Sequence, residues 1–211
     1  MRVPLIPAAV LIAGGLAAQS TFVLPTGYDV VRGTTYNYYP FHGTTSVPDY
    51  MPYHTQLIYD TARFPVAVAQ LKGMAFRRPN QLGNANPAAT IDMIVDLSVG
   101  PNDGTTASTT FAANIGANTM NVYKAQLNLP AEAGGGAGIA PFSVVLPFSQ
   151  PFPFAVAMGL GLVVDISADK YSATTSWYMD AVQADIGLRT TNLTQSTCQV
   201  SNGQYSNSGS F

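Results

Sequence analysis

Apolar and polar residues alternate between residues 91 and 99, and this pattern constrains the fold more than any other feature of the sequence. Every odd-numbered position in the segment is apolar, so these side chains project from one face of an extended strand. The turn sequence PNDG follows at residues 101–104. Residues 160–166 alternate too, with an apolar residue at every even-numbered position. Both segments are predicted to be strands with one buried face.

Few residues of the chain suit the exposed side of a helix. Charged residues make up 9% of the sequence, compared with about 25% in typical soluble domains. Helices usually carry Glu and Lys on their outer face, but the chain has one Glu, Glu132, and its Lys residues are Lys72, Lys124 and Lys170. Neutral polar residues must cover the surface instead, and these favour strands and turns.

Short strands separated by turns account for most of the remaining sequence. Weaker strand candidates lie at residues 21–24, 56–59, 70–76, 120–127, 142–146, 176–179 and 186–190, and turn-rich segments at 79–87, 131–138 and 167–175. About eight or nine strands without a convincing helix predict an all-β fold. We expect a two-sheet antiparallel β-sandwich, with a jelly roll among the arrangements that fit. Residues 19–194 are assigned to the sandwich and residues 195–211 to a polar, flexible tail.

The segment from residue 133 to residue 164 contains no charged residue, yet it does not suit a membrane-spanning helix. It contains prolines at four positions and three consecutive glycines at 134–136, and a span in lipid must satisfy all of its own backbone hydrogen bonds. We predict buried strands joined by Pro-rich turns here, and a flexible loop at residues 134–138.

The first residues follow the order of a cleavable signal peptide. Arg2 supplies a positive charge, residues 3–16 are uncharged and mainly apolar, and small residues dominate 14–18. The apolar stretch is shorter than the roughly 20 residues that a membrane span needs. We predict a signal peptide at residues 1–18, and a secreted, cell-surface or periplasmic protein with no transmembrane segment after the leader is removed.

Several classes of function do not fit the composition and motifs. The formal net charge of −2 provides no dense cationic face for nucleic acid. The single cysteine, Cys198, allows neither an intramolecular disulfide nor a Cys-based zinc cluster. The sequence has no nucleophile elbow and no Gly-rich dinucleotide loop. We therefore assign no catalytic residue and no cofactor.

The histidines and aspartates offer only weak metal candidates. His42 and His54, with Asp49, match no ligand spacing, and zinc needs three or four ligands. Calcium accepts carboxylate oxygens, which makes Asp103, Asp165 and Asp169 weak candidates. Asp is also a preferred turn residue for backbone reasons. No metal site is assigned.

Asp92 and Asp96 do not form an acid/base pair by themselves. They lie on one face of the predicted strand but about 13 Å apart, whereas the two carboxyl groups of a glycosidase lie within about 9.5 Å of each other. A neighbouring strand that supplies another Asp would change this conclusion.

Aromatic residues concentrate between residues 36 and 53. Tyrosine combines an apolar face with a polar tip, which suits both interfaces and sugar stacking. The candidate ligand-binding residues are Tyr36, Tyr38, Tyr39, Tyr50 and Tyr53. The alternative is that these rings cap the core of the sandwich.

Three short segments resemble a lineage-restricted group of exported proteins of planctomycete-type bacteria. They are TFVLPTGY at residues 21–28, QLIYD at 56–60 and KGMAFR at 72–77, and residues 94–99 and 129–130 fit the same pattern. The resemblance covers about residues 20–170. It implies an exported β-sandwich with no catalytic residues to transfer. Members of the group often continue past a Cys, whereas this chain stops soon after Cys198.

Together these observations predict an exported, non-catalytic β-sandwich with a structural or surface-associated role. Its expected partners are polysaccharide or other surface proteins, and not nucleic acid. One alternative is a carbohydrate-binding module that uses the tyrosines between residues 36 and 53. The other is a hydrolase with an unrecognised Asp/His site, which would require carboxylates and histidines to converge in a cleft.

Overall fold

The computed structural model of the chain describes residues 21–24, 26–38, 40–41, 53–80, 82–182, 188–194, 197–200, 206–207 and 209–210. Strands dominate these residues, and helical structure among them is limited to single 3₁₀ turns at Thr61–Arg63, Phe111–Ala113 and Val156–Met158. The prediction of an all-β fold is therefore confirmed. No helix in this part of the chain is long and apolar enough to cross a membrane. The signal peptide predicted at residues 1–18 lies outside the described residues.

The strands are numbered in chain order. They are β1 (Val23–Leu24), β2 (Thr35–Asn37), β3 (Tyr53–Asp60), β4 (Val68–Arg77), β5 (Ala89–Gly100), β6 (Met120–Leu129), β7 (Phe142–Ala155), β8 (Gly161–Asp169), β9 (Met179–Val182), β10 (Leu188–Thr194), β11 (Thr197–Val200), β12 (Ser206–Asn207) and β13 (Gly209–Ser210).

Two principal antiparallel sheets pack together in a sandwich-like fold, as the sequence predicts. One sheet has the order β11-β10-β3-β8-β5-β6 and the other the order β1-β13-β4-β7. Their apolar side chains share one core, to which Phe76 and Phe152 contribute from the four-stranded sheet and Val95 and Val164 from the six-stranded sheet. The described residues also form a small third sheet, β12-β9-β2, which the sequence did not predict.

The central strands β5 and β8 contain the two segments with the clearest alternation. In β5, Ile91, Met93, Val95 and Leu97 point into the core and are at most 1% exposed. Asp92, Ile94 and Asp96, the alternate residues, lie on the outer face of the sheet. β5 pairs with β8 along nine register positions, from Asp92 opposite Asp169 to Gly100 opposite Gly161. This pairing decides which polar residues meet on the outer face.

The prediction of Pro-rich turns after residue 146 is wrong, because strand β7 occupies this segment. It runs without interruption through Pro147, Pro151 and Pro153. Proline has no N–H to donate, so it is tolerated in a sheet where one side of the strand needs no ladder hydrogen bond. β7 occupies such a position, because it is the edge of its sheet and pairs only with β4 in the described part of the chain.

Side chains of β7 also cover the edge of the other principal sheet. The Ser149 hydroxyl donates to the Val122 carbonyl oxygen, and the Gln150 amide donates to the Asn121 carbonyl oxygen, each over 3.1 Å. Val122 and Asn121 belong to β6, the edge strand of the six-stranded sheet. Backbone groups on an exposed edge attract other strands, so these contacts shield β6 against unwanted pairing.

The glycine-rich loop is anchored by hydrogen bonds, in contrast to the predicted flexible loop. The Gly135 N–H donates to the Leu82 carbonyl oxygen over 2.7 Å. Arg78 donates to the Gly135 carbonyl oxygen, and the Asn80 amide donates to the Gly138 carbonyl oxygen over 2.8 Å. Gly135 and Gly138 have φ angles of 73° and 92°, and residues other than glycine rarely adopt positive φ angles of this size. The glycines thus fix the path of the loop.

Parts of the segment assigned to a flexible tail pair with the sheets. β11 pairs with β10, β12 pairs with β9, and β13 lies between β1 and β4. The described residues of this segment therefore extend all three sheets, whereas the sequence placed them outside the sandwich.

A buried ion pair joins the third sheet to the four-stranded sheet. The guanidinium of Arg77, at the end of β4, donates to Asp180 Oδ2 on β9 over 2.7 and 2.9 Å, and both side chains are 1% exposed. The Gly33 N–H donates to both carboxylate oxygens of Asp180, and Arg77 also donates to the Val31 carbonyl oxygen. The pair thereby fixes residues 31–33 and β9 to β4.

Candidate functional site

Three tyrosines form a surface group on the third sheet, which we call the tyrosine cluster. Tyr36 lies on β2, Tyr38 follows β2, and Tyr178 directly precedes β9. The Tyr178 ring lies edge-to-face with Tyr36, at 5.4 Å and 85° between the rings, and with Tyr38, at 5.9 Å and 84°. Tyr36 is 42% exposed, and the other two residues are half-buried. Edge-to-face contacts of this kind favour a fixed arrangement of rings.

Asn86 holds Tyr178 in place through the backbone. Its side-chain amide donates to the Tyr178 carbonyl oxygen over 2.9 Å, and its side-chain oxygen accepts from the Tyr178 N–H over 3.0 Å. Asn86 is itself buried and forms a backbone bridge to Glu132. The neighbouring Trp177 is fully buried and donates from its indole nitrogen to the Pro130 carbonyl oxygen. The base of the cluster is therefore rigidly supported.

The structure brings together only some of the predicted tyrosines. Tyr36 and Tyr38 meet in the cluster, whereas Tyr53 begins β3 on the six-stranded sheet, opposite Ala168. Tyr39 and Tyr50 lie outside the described residues. Sequence reasoning did not include Tyr178, because strand pairing alone brings it to β2 from the far end of the chain. The pairing of Asn37 with Met179 was not visible in the sequence.

A second polar surface covers the outer face of the six-stranded sheet, and we call it the polar face. Strand pairing places its residues in rows across β3, β8, β5 and β6. The polar face comprises His54, Gln56, Asp92, Ile94, Asp96, Asn121, Lys124, Gln126, Asp165, Ser167 and Asp169.

Three side chains of the polar face and the loop residue Asn114 form a continuous hydrogen-bond network. His54 Nε2 contacts Asp165 Oδ1, and the Gln56 amide donates to Asp165 Oδ2 over 2.5 Å. Gln56 also donates to the Phe111 carbonyl oxygen and accepts from the Asn114 amide. Gln56 and Asn114 are both fully buried, and the Phe111 ring lies 4.3 Å from the His54 ring. This network fastens residues 101–119 to the sheet.

Strand β8 supplies the additional carboxylates that the sequence could not place. Asp165 lies directly opposite Asp96, and Asp169 lies directly opposite Asp92. Residues that face each other across antiparallel strands have Cβ atoms about 4.5–5.5 Å apart. Each carboxylate has its own hydrogen-bond donors, since Asn121 donates to Asp96 over 2.7 Å and Gln126 donates to Asp92 over 3.1 Å. These donors offset the repulsion between the facing carboxylates.

Asp92 and Lys170 form an exposed ion pair at one end of the polar face, with Nζ and Oδ2 separated by 3.1 Å. Hydrogen bonds from Lys170 and then Gln126 hold the pKa of the Asp92 carboxyl below its usual value. The same contact raises the pKa of Lys170. Asp92 therefore favours the folded state above its ordinary pKa and loses that contribution as the pH falls through its lowered pKa.

We expect Lys170→Met to raise the pKa of Asp92 toward its ordinary value, because the substitution removes the largest cause of the shift. A pH titration of the Asp92 carboxyl carbon by NMR measures this change. Lys124→Met is the matched control, since it removes a lysine from the neighbouring strand that does not contribute to the shift. An unchanged Asp92 pKa in Lys170→Met would contradict the ion pair.

The metal candidates do not come together in one place. Asp103 lies in the loop after β5, where its Oδ1 accepts hydrogen bonds from the backbone and hydroxyl groups of Thr105 and Thr106. Burial alone would raise the pKa of Asp103, but these bonds outweigh burial and lower it. Within the described ranges, no group of three or more His, Cys, Asp or Glu side chains could hold a metal ion. His42 and Asp49 lie outside those ranges.

A shallow cavity of about 380 Å³ lies on the polar face between β6 and β8. Ile94 on β5 lines it and is 36% exposed. Lys124 and Gln126 line the cavity from β6, and Ser167 and Asp169 line it from β8. Asp92 and Lys170 complete the polar part of the lining. The cavity thus combines an apolar side chain with several hydrogen-bond donors and acceptors.

Comparison with known proteins provides no function that could be transferred to this chain. No protein-family model, no curated protein and no solved structure matches it. The resemblance to planctomycete exported proteins stays a prediction, and the role of the two surfaces is inferred from their own chemistry.

Proposed function

We propose that the chain is an exported, non-catalytic β-sandwich that attaches to neutral polysaccharide through the tyrosine cluster. The observation that carries the proposal is the exposure of Tyr36 beside two further partly exposed rings on a rigid base. Tyrosine rings present flat apolar area with a polar hydroxyl at the rim, at low entropic cost. The C–H faces of a sugar ring suit such a surface, and its hydroxyl groups can bond to the rim.

The low charge of the chain supports a neutral ligand. Charged residues account for only 9% of the sequence, so long-range electrostatic attraction contributes little to encounters with a partner. Recognition must instead depend on ring contacts and hydrogen bonds at short range. The export assignment rests on the predicted signal peptide and would place the cluster where polysaccharides occur.

We expect Tyr36→Ala to weaken retention on a polysaccharide that the wild-type protein binds. Truncation of a central interface tyrosine costs about 2 kcal/mol, which corresponds to roughly a 30-fold increase in Kd. Tyr36→Phe should keep most of the affinity, because it keeps the ring. Affinity electrophoresis against glucan, mannan, xylan and starch, followed by calorimetry with the best ligand, measures both effects.

Tyr28→Ala provides the matched control for this experiment. Tyr28 lies in the turn at residues 26–29 and makes no ring contact with the tyrosine cluster within the described residues. It should bind like the wild type. A wild-type protein that no neutral polysaccharide retains, or a Tyr36→Ala variant that binds as tightly as the wild type, would refute the proposal.

The hydrolase alternative has one specific observation in its favour, the placement of Asp96 opposite Asp165 with His54 in contact with Asp165. Residues directly opposite each other have Cβ atoms about 4.5–5.5 Å apart, an arrangement that allows two carboxyl groups to approach the separation of about 5 Å in retaining glycosidases. Both oxygens of Asp165, however, already accept bonds from neighbouring side chains. Turnover of a soluble glycan that disappears in Asp165→Asn and persists in Asp60→Asn would replace the binding proposal with this alternative.

A further inference from the structure

The cavity on the polar face lies on a different sheet from the tyrosine cluster. The cluster belongs to the small sheet of β2 and β9, whereas the cavity lies on β5, β6 and β8 of the six-stranded sheet. From this cavity we infer a second carbohydrate subsite, which takes one neutral pyranose ring. The inference rests on the proposed function, since it assumes that the same chain binds polysaccharide.

The size of the cavity suits one sugar ring. It spans three adjacent strands, which lie about 4.8 Å apart, so its width is about 10 Å. Its volume of about 380 Å³ lies near the lower end of the range for small-molecule sites. The exposed Ile94 side chain lies in the middle row of the cavity, between Lys124 and Ser167. An apolar contact there suits the C–H face of a pyranose.

The polar groups of the cavity are held in place before any ligand arrives. Gln126 and Lys170 both donate to the Asp92 carboxylate, which brings three side chains of the lining together. Lys170 has a φ angle of 54°, an uncommon value for a residue other than glycine. The Asp169 carboxylate accepts the Lys170 N–H over 2.8 Å and secures this conformation. Preorganised groups of this kind lose little entropy on binding.

The charges of the cavity favour a neutral sugar over an acidic one. Asp92 and Asp169 balance Lys124 and Lys170 within the lining. The adjoining row adds Asp96 and Asp165, which are opposite each other on β5 and β8. A ligand carboxylate would meet this additional negative charge, whereas hydroxyl groups can bond to carboxylate, amide and ammonium groups alike.

Backbone NMR in the presence of soluble oligosaccharides tests the inference. The probes are the neutral cellohexaose, xylohexaose and mannohexaose and the acidic hexagalacturonate, added singly to the wild-type protein and to Tyr36→Ala. We expect saturable chemical-shift changes of the amides at residues 92–94, 124–126 and 167–170 in both proteins with at least one neutral probe.

Ile94→Asp should raise the Kd obtained from these titrations by at least tenfold. The double variant Lys124→Ala/Ser167→Ala should raise the Kd by a similar factor. Its substitutions lie on β6 and β8, so it leaves the sequence of the central strand β5 unchanged. Lys72→Ala, on the four-stranded sheet, is the lysine control.

The outcomes separate the second subsite from the proposed function. Shifts confined to residues 35–38 and 178 would overturn the second subsite and leave the tyrosine cluster intact. Shifts confined to the polar face would overturn the role of the cluster and uphold the subsite. No saturable shift with any probe would overturn both. Tighter binding of hexagalacturonate than of the neutral probes would overturn the assignment to a neutral sugar.

Discussion

Replacing Arg77 with Met is expected to lower the free energy of unfolding by about 3–5 kcal/mol, the usual cost of removing one partner of a buried ion pair. The substitution keeps most of the side-chain volume but leaves the Asp180 carboxylate, which is 1% exposed, without its cation. The Gly33 N–H alone then compensates the buried charge. For a chain of this length the loss corresponds to a fall in Tm of roughly 6–20 °C.

The measurement is chemical denaturation of the wild type and three variants. Arg63→Met is the matched control, because the Arg63 side chain is 44% exposed and lies 4.0 Å from Asp60. Exposed pairs contribute at most about 1 kcal/mol. Arg77→Met combined with Asp180→Leu should recover much of the loss, since replacing both charges removes the unpaired carboxylate. Equal destabilisation by Arg77→Met and Arg63→Met would show that the buried pair does not join the sheets.

The strands with a regular alternation were predictable because their burial follows from local sequence. Residues 91–99 carry an apolar side chain at every odd-numbered position, which predicts the face of β5 that is buried, and the structure buries that face. Local reasoning failed in β7, where three prolines indicated turns. The tolerance of an edge strand for proline depends on the position of the strand in the sheet, and that position is a property of the whole fold.

The candidate sites were predictable only in part, for the same reason. Tyr36 and Tyr38 could be identified because they are two positions apart in one tyrosine-rich segment. Tyr178, which completes the cluster, joins them through the pairing of β2 with β9. On the polar face, Asp92 and Asp96 gained their carboxylate neighbours through the register between β5 and β8. No signal within either segment specifies that register.

Asn114→Ala is expected to destabilise the protein by about 2–4 kcal/mol, since each buried polar group left without a partner costs about 1–3 kcal/mol. The Asn114 amide donates to Gln56 Oε1 and to the Ser108 carbonyl oxygen, each over 3.0 Å. Its side-chain oxygen accepts from the Asn102 amide and the Ser108 N–H. Because Gln56 and Asn114 are fully buried, water cannot readily replace these bonds.

The loss should be accompanied by faster amide hydrogen exchange between residues 101 and 119. This loop reaches the sheet through Asn114 and through the Phe111 contacts with Gln56 and His54. Gly116 and Asn118 attach its far end to Ser98 and Val99 on β5, so removing Asn114 releases one attachment in the middle of the loop. Asn128→Ala is the control, because Asn128 is exposed on the edge strand β6 and should change stability by less than about 0.5 kcal/mol. If the amides between residues 101 and 119 exchange at the wild-type rate in Asn114→Ala, the hydrogen bonds of Asn114 do not hold the loop against the sheet. Faster exchange confined to the loop would establish that the buried amides hold it beside His54 and Asp165.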